Sequence, residues 1–158
     1  MIHVVGVGEM RISGNPGDII VTHPLGSCIG IGIHDARTRL GGILHFMLPS
    51  SEVDPEKAAD NPYLFADTGI PAFFQAAYDQ GVSRERLRIV LVGGAQPTQQ
   101  NGLFAIGRRN QITTRKILWR DDLLIGAEHV GGTQPRTFCL EVGSGRTWVK
   151  CNGNEIEL

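Results

Sequence analysis

The sequence predicts an α+β domain built on mixed sheets, and three observations carry that reading. Apolar alternation and β-branched runs crowd the first third of the chain. Helix and strand then alternate only briefly before strands return near the end, unlike the regular alternation of a doubly wound fold. Glycine reaches 21 of 158 residues, well above the usual ~7%, as expected where turns are tight and backbones approach closely. Neither an internal repeat nor a linker divides the chain, so residues 1–158 read as a single domain.

The elements follow in order. Asp18–Thr22 reads as a strand. Cys28–His34 is a second, with Asp35-Ala36-Arg37-Thr38 as its turn. In it Ile29, Ile31 and Ile33 share one face, while Cys28, Gly30 and Gly32 leave room on the other for a backbone or a ligand. Gly41–Leu48 is a third strand, ended by Pro49. Residues 50–60 are polar, carry Pro55 and read as a loop. A helix is expected within Pro62–Gln80, interrupted by Pro71 and ended by Gly81. Leu87–Val92 is a buried strand leading into Gly93-Gly94, and residues 95–102 read as loop. A second helix spans Arg108–Arg120, and Leu123–Val130 and Arg136–Val142 read as strands. Gly143-Ser144-Gly145 then turns the chain into Arg146–Cys151 as a hairpin.

Fifteen basic against sixteen acidic side chains give a net charge of −1. That balance argues against a domain whose work is gripping nucleic acid or an anionic membrane. No run approaches the ~18 apolar residues of a membrane span, and the N-terminus lacks a signal-peptide pattern, so the expected compartment is the cytoplasm. Cys28, Cys139 and Cys151 are odd in number and far apart, which fits neither a disulfide framework nor a CxxC zinc pair. No metal or cofactor is expected.

The densest chemical candidate is Thr22-His23-Pro24-Leu25-Gly26-Ser27-Cys28-Ile29-Gly30. A cysteine after a glycine turn, at the mouth of a strand, can be partly exposed, with backbone N–H groups near enough to stabilise a thiolate and then an oxyanion. Such a thiol is expected to ionise below the free value of about 8.5. Taken alone, Cys28 reads first as a small core residue, because free cysteine is among the most buried types. His45, flanked by apolar residues, likewise reads first as a satisfied core histidine. If the strands of Cys28 and His45 pair antiparallel, however, the two side chains share a face and form a nucleophile–base couple. Gly26-Ser27-Cys28-Ile29-Gly30 also spells the cysteine form of a hydrolase elbow, with Asp121 or Asp122 and His129 in the required order. That elbow needs a helix after it, and here the pattern is a strand. Gly93-Gly94 and Gly131-Gly132 read as turns whose N–H groups can line a pocket. His3, His23, His34 and His129 have no metal-ligand spacing, and Cys139 and Cys151 read as inert.

An ordered set of motifs resembles the chemoreceptor glutamine deamidase family, CheD. It comprises Leu25-Gly26-Ser27-Cys28, Gly41–Pro49, Tyr63 with Ala66-Asp67-Thr68 and Ile70-Pro71, and Gly93-Gly94-Ala95. It continues through Ile106–Asn110, Val130-Gly131-Gly132 with Arg136, and the Gly143-Ser144-Gly145 turn. The resemblance implies an α/β/β/α sandwich similar to deamidating toxins, and a cysteine hydrolase whose Cys–His–Thr site falls on Cys28, His45 and Thr22. It implies conversion of selected receptor glutamines to glutamates, with receptor cytoplasmic domains as substrate and, in some bacteria, the phosphatase CheC as regulator. Backbone N–H groups at Ser27 and Cys28 are expected to hold the oxyanion, and Thr22 the second imidazole nitrogen. Gly93, Gly94, Gly131 and Gly132 are expected on the substrate rim. Two departures fall on that rim: Gln96-Pro97-Thr98 replaces apolar residues, and Thr133-Gln134-Pro135 fills a glycine-containing turn. Two other readings stay open, a non-catalytic CheD-like binding module and a thiol-dependent receptor methylesterase.

Overall fold

The computed structural model describes residues 1–96 and 105–158. In chain order the strands are β1 (Ile2–Val5), β2 (Glu9–Ser13), β3 (Ile19–Thr22), β4 (Ile29–Asp35), β5 (Leu40–Phe46) and β6 (Leu87–Gly93). Four follow: β7 (Ile125–Val130), β8 (Thr137–Glu141), β9 (Thr147–Cys151) and β10 (Asn154–Glu157). The α-helices are α1 (Pro55–Asp60), α2 (Ala66–Asp79) and α3 (Ile106–Arg120). The strands form two five-stranded sheets, ordered β1-β3-β8-β9-β10 and β2-β5-β4-β6-β7. Each sheet is mixed: β1–β3 and β6–β7 are parallel and the other pairs antiparallel. The chain is therefore α+β with two mixed sheets.

Two apolar layers hold it together. Ile29, Ile31 and Ile33 of β4 pack with Leu44 and Phe46 of β5 against Ile70, Phe73 and Phe74 of α2 and Ile117 and Leu118 of α3. The opposite face of that sheet meets the first sheet through Val5, Ile20, Ile43, Val90, Val92, Phe138, Leu140 and Val149. The small residues on β4 have a concrete use here: a Cβ on Gly32 would lie 2.5 Å from Phe138 Cζ. The space expected beside them is filled by the facing sheet.

Several expectations are corrected. Residues 50–60 contain a single turn (Ser51–Val53) and α1. Pro55 opens α1 rather than breaking it, because a first-turn N–H has no helical partner to lose, and Asp54 caps the Lys57 N–H. Pro71 lies inside an unbroken α2; the buried face of Ile70, Phe73, Phe74 and Ala77 outweighs one missing hydrogen bond. Strands β1, β2 and β10 were not expected. A second helical layer is also absent among the described residues. Neither apolar layer puts a helix on the outer face of the first sheet, where Arg146 instead stacks 4.3 Å over the Trp148 ring. Of the expected loop at 95–102, Ala95 and Gln96 are irregular, and residues 97–102 lie outside the described ones.

Candidate active site

Both sheets contribute to one cluster. Thr22 ends β3 in the first sheet, while Cys28 leads into β4 and His45 lies on β5 in the second. β4 and β5 pair antiparallel with Gly30 opposite His45 and Ile29 opposite Phe46. Ile29 and Phe46 face the helices, so His45 and Gly30 face the first sheet. Cys28 packs against that same inter-sheet layer, which makes it the diagonal neighbour of His45 on a shared face. The missing side chain at Gly30 lets the Thr22 methyl, Leu25 and Phe138 close over the strand beside them.

His45 is fully buried. Its Nδ1 lies 3.2 Å from the Val5 carbonyl oxygen across the sheet gap, and that oxygen also accepts the His23 backbone N–H at 3.0 Å. A carbonyl can only accept, so Nδ1 carries the hydrogen and, in the neutral ring, Nε2 carries the lone pair. Nε2 is buried and has no hydrogen-bond partner among the described residues. Burial holds the His45 pKa below the ordinary histidine value, against the Val5 carbonyl, which raises it. His23 adds to the lowering and Glu9 opposes it. Glu9 stands opposite His45 in the β2–β5 pair, its carboxylate on the Gly6 N–H at 2.8 Å.

The imidazole anchor is therefore Val5, not Thr22 as expected. The buried Thr22 hydroxyl oxygen instead accepts the Phe138 backbone N–H at 3.0 Å. It replaces a ladder bond just past the last paired residues, Val21 and Cys139. The expected acidic thiol is corrected too. Cys28 is half-buried and burial pushes its thiol up, opposed only by its own backbone N–H. Among the described residues no cation enters that balance.

The loop carrying Cys28 is held by three successive carbonyls. Gly26 accepts the Ala95 N–H at 2.8 Å, Ser27 accepts Asn110 Nδ2 at 2.9 Å, and Cys28 accepts the Gly94 N–H at 2.8 Å. Gly93 has φ +109°, and any side chain there would collide with the Cys28 carbonyl oxygen. Among the described residues no backbone carbonyl accepts from the N–H of Ser27 or Cys28. The expected rim glycines meet here as well: Gly131 N–H donates to the Gly93 carbonyl at 2.9 Å, and Gln96 N–H to the Gly132 carbonyl at 2.8 Å. Arg136 fixes that turn from beneath. It is buried, and its guanidinium reaches the carbonyls of His129, Gly131 and Gln134, while its backbone pairs with Leu25.

The remaining candidates lie elsewhere. His129 Nδ1 faces Arg136, His34 Nε2 the Val142 carbonyl, and His3 Nε2 the Asp18 carboxylate. A strand follows Cys28, so the hydrolase elbow does not form. Cys139 is buried, and the Cys151 thiol donates to the Pro135 carbonyl at 3.6 Å. No group of His, Cys, Asp or Glu among the described residues has the arrangement of a metal site. No helix among them is long and apolar enough to cross a membrane. Sequence reasoning assigned no role to Val5, Glu9 or Asn110. A backbone acceptor leaves no trace in residue type. Asn110 did leave one, as a polar residue on the buried α3 face of Gly107, Thr114, Ile117 and Leu118.

Comparison with known proteins identifies the family. The family described as CheD chemotactic sensory transduction matches residues 47–151, beyond Thr22, Cys28 and His45. Curated relatives extend the match over those residues. A probable chemoreceptor glutamine deamidase CheD of Solibacter usitatus is 45% identical over 98% of this chain and 92% of its own. Another so named, from Syntrophus aciditrophicus, is 40% identical over 97% and 96%. A third, from Anaeromyxobacter dehalogenans, is 43% identical over 96% and 95%. With a family match over more than half its length and such relatives along nearly all of it, the chain belongs to the CheD family.

Proposed function

We propose that this chain is a protein-glutamine deamidase that converts chemoreceptor glutamines to glutamates through a cysteine thioester. The observation that carries the mechanism is the His45 tautomer: Nδ1–H is committed to Val5, and the Nε2 lone pair faces the inter-sheet space that Cys28 shares. The names of the relatives supply the substrate class.

In this reading the resting pair is uncharged, since burial raises the thiol and lowers the imidazole. The proton passes from Cys28 Sγ to His45 Nε2 as sulfur attacks the side-chain amide carbon of glutamine. The developing oxyanion meets the N–H groups of Ser27 and Cys28. The imidazolium returns its proton to the departing ammonia, leaving a thioester. His45 then takes a proton from water, and the hydroxide adds to the thioester carbon. The sulfur leaves and takes the proton back from His45 as the glutamate carboxyl forms. Thr22 acts as a positioning residue, tying β8 to β3 beside the imidazole. The glycines at 93–94 and 131–132 shape the rim that admits the glutamine.

The partners are the cytoplasmic domains of chemoreceptors, which places the protein in the cytoplasm, and a CheC-type phosphatase can act as its regulator. The test is incubation with the organism's own receptor cytoplasmic domains, followed by peptide mass mapping and ammonia measurement. Glutamine-to-glutamate conversion that is lost in Cys28→Ala is expected. Unchanged conversion by Cys28→Ala would remove the assignment. Methanol release from a methylated receptor without ammonia from the amidated one would make the protein an esterase instead.

A further inference from the structure

We infer that Asn110 is a positioning residue that aims the oxyanion-binding amide of Cys28; the inference rests on the cysteine-thioester reading above. Asn110 is fully buried in α3, one turn from the start of the helix. Its Nδ2 donates twice, to the Ser27 carbonyl at 2.9 Å and the Met47 carbonyl at 2.9 Å. Both partners are pure acceptors, so the amide nitrogen must be the atom facing them. One side chain thus ties the turn before the nucleophile to the chain two residues after His45.

The Ser27 carbonyl and the Cys28 N–H belong to the same peptide unit, which is planar and trans. Holding the oxygen toward α3 points the hydrogen the opposite way. Asn110 therefore decides where the Cys28 N–H aims without touching substrate. A hydrogen bond to the carbonyl also polarises the unit and makes that N–H a better donor. The backbone pairing supports an amide held for a guest: no backbone carbonyl among the described residues accepts this N–H. The neighbouring carbonyls of Gly26 and Cys28 are held by backbone N–H groups. Among the described residues Ser27 is the one of the three given a side-chain donor, and that donor is shared with Met47, just past the strand that carries the base.

A residue acting this way leaves a kinetic signature that a mere core contact does not. Turnover passes through an oxyanion, whereas alkylation of Cys28 by iodoacetamide displaces iodide and forms none. In Asn110→Leu, kcat on a receptor fragment is expected to fall about 10²-fold, the loss seen when one oxyanion donor is misdirected. KM and the Cys28 alkylation rate are expected to change less than about 3-fold, against that 10²-fold loss. Asn110→Ala, which leaves space for water at both carbonyls, is expected to recover part of the loss and serves if Asn110→Leu does not fold. Parent-like kcat in either folded variant overturns the inference. A parallel fall in kcat and alkylation also overturns it, because the damage is then general. Cys28→Ala, run beside them, separates the two levels: turnover surviving there defeats the thioester reading itself. Turnover lost there but kept in Asn110→Leu defeats only the role of Asn110.

Discussion

Replacing Thr22 by valine tests the buried hydroxyl, because the two side chains have nearly the same shape. Valine is the more apolar and the better strand former, so at a site that only fills space Thr22→Val is neutral or stabilising. The structure gives the opposite sign. Thr22 is almost wholly buried, and its oxygen is the acceptor for the buried Phe138 N–H. Valine leaves that N–H unsatisfied, at a cost of about 1–3 kcal/mol. A domain of this size shifts its melting temperature by about 2–4 °C per kcal/mol, so a fall of roughly 2–12 °C is expected. Calorimetry or urea titration of the purified proteins reads it. Thr22→Ser keeps the acceptor and gives up one methyl, about 0.8 kcal/mol plus a small cavity. Turnover of Thr22→Val should fall less than that of Cys28→Ala, because Val5 still holds the imidazole. A melting temperature at or above the parent's would refute the bond to Phe138.

Two further outcomes follow from the raised thiol and the lowered imidazole. In a protein carrying Cys139→Ala and Cys151→Ala, iodoacetamide labelling of Cys28 should keep accelerating as pH rises past the free-cysteine value of about 8.5; a plateau below it would contradict the burial argument. His45 has its pKa depressed in the fold, so below the unfolded value of about 6.5 the unfolded chain binds the extra proton and the fold does not. Its contribution to stability is present above about 6.5 and is lost as pH falls toward the folded value. His45→Gln should therefore flatten the melting temperature between about pH 7 and 5, and an unchanged slope would argue against a neutral buried ring. Asp18 is also held below the carboxylate range, by Ser13 and then His3, but its contribution is lost only below about pH 4, outside that window.

What the sequence revealed tracks how strongly each segment is buried. β4, β5 and β6 were legible because buried strands are apolar over most of their length. β10 was not, because all four residues are exposed and carry no alternation of burial. β1 and β2 are short edge strands with mostly exposed or half-buried side chains. The shared face of Cys28 and His45 followed from period-two spacing, once antiparallel pairing was assumed. The anchor of His45 did not, since it is a main-chain oxygen brought over from the other sheet by β1. The sign of the Cys28 shift was missed for a related reason. A glycine turn suggests exposure, while Cys28 packs against the inter-sheet apolar layer, whose residues are scattered along the chain.

The bond from His45 to Val5 spans two sheets that share no ladder between these strands. The chemically useful form of the ring thus depends on the spacing of two separately hydrogen-bonded bodies. If that spacing widens slightly, Nδ1 loses its acceptor and the hydrogen is free to settle on either nitrogen. Each sheet then keeps its strands, and spectroscopic signals of secondary structure stay native, while the base is present only part of the time. With His45 as the proposed base, turnover is expected to gauge how firmly the two sheets are held together. It is expected to fade under mild denaturant before the strands themselves come apart.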